Sequence, residues 1–79
     1  MKKITSAQFR AARSLLDWSL SDAIKATSLS SSSLNRAENK NARDLSDKML
    51  RLLTLMYEQH GIEFINDDDG IGVKLKKSE

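Results

Sequence analysis

Residues 19–39, SLSDAIKATSLSSSSLNRAEN, decide the fold. Ser19 is a good helix N-cap, because its side-chain oxygen can accept an early helical N–H. Asp22, three residues on, completes a reciprocal box and complements the helix dipole. A helix of about eight residues follows, with Ala23, Ile24 and Ala26 or Thr27 facing inward. Ser28 and Leu29 then form a tight turn, and Ser30 caps a further helix running to about Asn39. There Leu34 and Ala37 point to a core, while Ser31, Ser32, Asn35 and Arg36 point outward.

Working outward, Thr5-Ser6-Ala7-Gln8 fits a capping box and starts a first helix at about Ser6. Phe9, Ala12, Leu15 and Leu16 form its apolar stripe, Arg10 and Arg13 lie off that stripe, and the helix should end near Asp17 or Trp18. Residues 38–43, ENKNAR, lack apolar periodicity and read as a loop. The pattern returns from Asp44 or Leu45 with Leu45, Met49, Leu52, Leu53, Met56 and Tyr57, the longest helix, closed by Gly61 with Ile62 folding back. Beyond it, Glu63–Asn66 and Ile71–Lys76 flank Asp67-Asp68-Asp69-Gly70, a hairpin with one apolar and one wet face. Two strands alone are marginal in water, so the hairpin leans on the helices or pairs with another chain. Edge pairing across a two-fold axis would make a dimer.

Seventy-nine residues imply a small domain near the lower limit of autonomous folding, which raises the prospect of oligomerisation. No cysteine is present, which excludes disulfides, thiolate metal sites and cysteine catalysis. MKKITSAQ has no apolar core of a signal peptide, and Met49–Tyr57, broken by Arg51 and Thr54, is far short of the roughly 20 residues of a membrane span. A cytoplasmic chain without membrane partners is expected. Residues 1–43 carry eight basic and three acidic side chains, net +5, whereas residues 44–79 carry five basic and eight acidic, net −3. One face is thus suited to a polyanion.

A helix–turn–helix whose second helix opens with small polar outward residues suits the major groove of double-stranded DNA. Arg36 is the outward residue able to pair in two places with guanine, Asn35 could pair with adenine, and the serines can reach a base edge or phosphate only at close backbone approach. Arg10, Arg13, Lys40 and Arg43 are candidates for phosphate contacts, against the alternative of plain solvated charge. Trp18 reads as a core anchor and His60 as a dipole partner at a helix end. Asp67–Gly70 lacks the alternating ligands of a calcium loop and reads as a turn. No nucleophile, base and orienting group assemble from this sequence, so no enzyme, cofactor, metal or small-molecule substrate is expected.

Over residues 6–60 the chain resembles the phage-repressor-type helix-turn-helix family, the Cro and XRE class. FRAARSLLDWSLSDAIKATSLSSSSLNRAEN is similar to its first three helices, including the arginine of the first and the glutamate and asparagine closing the third. GIEFINDDDGIGVKLKK is similar to the C-terminal hairpin of a bacterial subgroup of such regulators. The resemblance implies a mainly α fold: a four-helix repressor-like bundle over residues 1–60 and a short β-hairpin over residues 61–79 as a possible dimerisation element. It also implies transcriptional regulation, a repressor bound to a palindromic operator as a homodimer through its C-terminal strands. Carried over by position, Ser31, Ser32, Asn35 and Arg36 face bases. Ser30 and Asn39 touch phosphates at the two ends of that helix, and Lys40 and Arg43 touch the backbone or minor groove from the loop. The chain departs from the family where Leu20 replaces a phosphate-anchoring glutamine, Ala23-Ile24 replaces Leu-Ala, and Ser28 replaces the turn glycine. Those departures keep open a protein-interaction module, such as an antirepressor or adaptor, or an antitoxin.

Overall fold

The computed structural model describes residues 4–39 and 45–76. Four helices, α1 (Ser6–Leu15), α2 (Leu20–Thr27), α3 (Ser31–Asn39) and α4 (Asp47–Gln59), precede an antiparallel hairpin of β1 (Ile62–Asp67) and β2 (Gly70–Leu75). None of the described helices is long and apolar enough to cross a membrane.

The caps explain where the helices begin. Gln8 N–H donates to Thr5 Oγ1 at 3.2 Å and Thr5 N–H to Gln8 Oε1 at 2.9 Å, so the expected box starts α1. Ser19 and Asp22 exchange the same two bonds at the head of α2, and they hold the Asp22 carboxyl below the usual carboxylate range. Ser30 accepts from Ser33 N–H at 3.1 Å before α3. Only α4 departs: it starts at Asp47, not at Asp44 or Leu45. Ser46 is extended and accepts from Met49 N–H at 3.2 Å, while Leu45 and Leu50, the flanking positions of a hydrophobic staple, pack against the core.

The ends of α1, α2 and α4 rest on left-handed residues. α1 stops at Leu15, earlier than its apolar stripe suggests, because Asp17 adopts φ 57°. Asp17 N–H bonds Ser14 C=O at 3.0 Å and Trp18 N–H reaches back to Arg13 C=O at 3.1 Å, the double closure of a Schellman motif. Ser28 ends α2 at φ 61°, taking the conformation that a glycine would adopt without strain. Gly61, at φ 97°, ends α4 as expected.

Phe9, Ala12, Ala23, Leu34, Ala37, Leu53, Tyr57 and Ile62 form the core, so the first residue of the hairpin belongs to the same interior as the helices. The Phe9 ring lies 5.5 Å edge-on from Phe64 and 6.2 Å from Tyr57. Ile24 packs partly buried beside buried Ala23, and α2 still lies against α3. Two expected core leucines are instead exposed, Leu15 by 44% and Leu52 by 41%. Leu15 sits where α1 is already unwinding, and α4 turns Leu50, Leu53 and Tyr57 inward, which rolls Leu52 to the outside.

The hairpin does lean on the helices. Its register pairs Ile62 with Leu75, Phe64 with Val73 and Asn66 with Ile71. Asp67 Oδ1 accepts from Asp69 and Gly70 N–H at 2.9 and 3.1 Å, locking the acidic turn. Gln8 ties this hairpin to α1, its side-chain amide donating to Ile65 C=O at 3.0 Å and Gly72 C=O at 2.9 Å.

Candidate nucleic-acid interface

α3 is divided lengthwise. Leu34, Ala37 and Glu38 are buried, whereas Ser31, Ser32, Asn35, Arg36 and Asn39 are exposed and share one face at helical spacing. Arg36 makes no ion pair among the described residues. Asn39 donates its side-chain amide to Asn35 Oδ1, so the two asparagines form a lateral pair along the exposed face. Asn35 accepts in that pair, so its own amide N–H groups and the second lone pair of its Oδ1 stay available to present a donor and an acceptor to adenine. The Ser30 hydroxyl is engaged in capping and also donates to Ser33 Oγ at 3.1 Å. Ser31 and Ser32 stand open beside it, between the cap and Arg36.

Burial of Glu38 sets the pose of this helix. Its side chain is 3% exposed, and Arg13 Nε from α1 reaches both of its carboxylate oxygens at 3.1 and 2.8 Å. Arg13 Nη1 also donates to Trp18 C=O at 3.1 Å, joining the α1–α2 turn to the same cluster. The Glu38 contact, partly opposed by burial, raises the Arg13 pKa further. Arg10 donates from Nη1 to the Glu38 backbone C=O, capping a carbonyl near the end of α3. Two of the arginines expected to contact phosphate thus hold α3 against α1 instead of extending freely, although Arg10 remains exposed. Lys40 and Arg43 lie outside the described residues.

The Arg13–Glu38 pair escaped the sequence reading, although a signal was there. Glu38 follows Leu34 by four residues and therefore shares its inward face, and a carboxylate on that face requires a buried cation. Tyr57 completes the cluster. Its hydroxyl is buried without a hydrogen-bond partner among the described residues, and burial, with Glu38 adding to it, pushes its pKa from 10.0 to about 12. Trp18 packs partly buried with its ring 5.8 Å from Tyr57 and 4.7 Å edge-on from His60, the residue that caps α4. Leu20 opens α2 on the outside, 37% exposed.

No family model, no curated protein and no solved structure matches this chain.

Proposed function

We propose that this chain is a sequence-specific DNA-binding transcriptional regulator, a repressor acting on a palindromic operator as a homodimer. The observation that carries the reading is the divided α3. Ser31, Ser32, Asn35, Arg36 and Asn39 face solvent together on a helix whose other side is fixed by Leu34, Ala37 and the Glu38–Arg13 pair. A rigid helix with short polar side chains in its first turns and one long guanidinium behind them matches the profile of a major groove. The positive balance of residues 1–43 and the likeness of residues 6–60 to the Cro and XRE class support the same reading. In this reading Ser31, Ser32, Asn35 and Arg36 contact base edges, and Ser30, Asn39 and Arg10 lie toward phosphates. Arg13 serves as framework. Two recognition helices would enter successive major grooves about 34 Å apart.

Selecting bound fragments from the native genome, then titrating the selected duplex and a random duplex by fluorescence anisotropy, tests this. Arg36→Ala should cost about 1–3 kcal/mol on the selected site and little on random DNA. Equal losses on both duplexes would refute the assigned role. The exposed leucines Leu15 and Leu20 favour a second reading, a protein-docking module such as an antirepressor, adaptor or antitoxin. It predicts that no duplex is enriched and that a protein partner co-purifies.

A further inference from the structure

Resting on the regulatory reading of α3, we propose that Asn39 is a positioning residue: it holds the Asn35 side chain in the orientation that reads adenine, and so helps to set which sequence the protein recognises.

A primary amide carries a donor at one end and an acceptor at the other, and the two ends differ little in size, so a half-turn about the last torsion interchanges them. Adenine offers the major groove N7, an acceptor, beside N6, a donor. Asparagine pairs with both only when its Nδ2 faces N7 and its Oδ1 faces N6. The backbone of α3 fixes where the Asn35 amide lies across the groove, because Leu34, Ala37 and Glu38 are buried on the other side of the helix. It leaves open which end of the amide meets which base atom. Turned by half, the same side chain sets its oxygen against N7 and its N–H against N6–H, and adenine is rejected instead of chosen.

The surface row Ser31, Asn35, Asn39 supplies the missing constraint. All three residues are exposed and recur at every fourth position, so they stand one above another along α3. Asn39 Nδ2 donates to Asn35 Oδ1. The Asn35 oxygen therefore points toward the C-terminal end of the helix and its Nδ2 toward Ser31 at the N-terminal end. One lone pair of Oδ1 is spent on Asn39, which leaves the other for adenine N6–H and an Nδ2 proton for N7. In open water such a lateral pair holds the amide weakly, since solvent replaces it at little cost. Against a base the solvent is displaced, and reversing Asn35 alone would set two amide N–H groups against each other in a dry contact. Asn39 keeps its second N–H for a phosphate, so the positioning role and the backbone contact do not compete.

Base preference, not affinity, is the readout that tests this role. On the selected duplex the Asn35 position is the one where Asn35→Ala erases a preference for adenine, and the full chain and its variants are titrated by fluorescence anisotropy against duplexes carrying each base there. A ratio taken within one variant cancels any change in phosphate contact or net charge. The wild type should favour adenine on the order of tenfold. Asn39→Lys, whose ammonium can only donate, should keep that ratio, whereas Asn39→Asp, whose carboxylate can only accept, should turn the Asn35 amide round and bring the ratio to unity or below. Asn39→Ala should fall between them. An Asn39 that only touches phosphate predicts one ratio for every variant. That result, an adenine preference kept in Asn39→Asp or lost in Asn39→Lys, or no base position that answers to Asn35→Ala, overturns the proposal and leaves the regulatory reading standing. In the chain without DNA, an Nδ2 proton of Asn39 should show a smaller temperature coefficient by nuclear magnetic resonance than those of Asn35, and the difference should vanish in Asn35→Ala. A shielded Asn35 proton instead overturns the orientation with no DNA present. A chain that keeps the asparagine pair but enriches no duplex removes the regulatory reading, and the positioning role with it.

Discussion

Ser28 and Asp17 hold left-handed conformations, at φ 61° and 57°, that a side chain opposes by roughly 1–2 kcal/mol. Part of any gain from glycine is returned through greater freedom of the unfolded chain. Ser28→Gly should therefore raise stability by about 0.5–1 kcal/mol in urea unfolding, and a loss would contradict the turn geometry. Asp17→Gly should gain less, since aspartate tolerates this conformation better than serine. Tyr57 supplies a pH dependence. Its phenol titrates near 10.0 when unfolded and at about 12 when folded, so in that window the unfolded chain has lost a proton that the native chain keeps. Stability must therefore fall as pH rises from 10.0 toward 12. Tyr57→Phe removes an unpaired hydroxyl and should abolish that part of the alkaline loss, read as the difference between the two unfolding curves across this range. Both effects are hard to see in a sequence. Serine and aspartate are ordinary turn residues, and the environment of Tyr57 is made by Glu38 and Arg13 from other helices.

Between elements, Gln8 does two jobs with one side chain. Its oxygen caps α1 through Thr5 N–H and its amide nitrogen holds the hairpin at Ile65 and Gly72. Gln8→Glu separates them. A carboxylate still accepts from Thr5, but it meets two carbonyl oxygens with no proton to donate. The expected result is an intact α1 with faster amide exchange in β1 and β2, measured residue by residue, and unchanged hairpin protection would contradict the clamp. The start of α1, all of α2 and the start of α3 were legible because Thr5, Ser19 and Ser30 act within three residues of themselves. Ser46 was missed because Asp44, Ser46 and Asp47 all fit a cap, and the choice falls to the packing of Leu45 and Leu50. The same holds for Leu15 and Leu52. Helical spacing identifies an apolar stripe, but the packing of neighbouring elements decides which part of it is covered.

At the scale of the molecule, the helices and hairpin share one interior through Phe9, Tyr57, Ile62 and Phe64, and the outer side of α3 is left to solvent. That face was legible from the alternation of Leu34 and Ala37 with polar neighbours. What fixes its orientation, Arg13 and Glu38, was not, because the two residues lie far apart in sequence and their pairing exists only once α1 and α3 meet. The central claim is that this face reads the major groove. Methylation interference on the selected operator tests it most directly, because methylating guanine N7 blocks the major groove and methylating adenine N3 blocks the minor groove. The account predicts strong interference at guanine N7 in both half-sites for the wild type, lost at one or two positions per half-site in Arg36→Ala. Interference confined to adenine N3, or an unchanged pattern in Arg36→Ala, would contradict it.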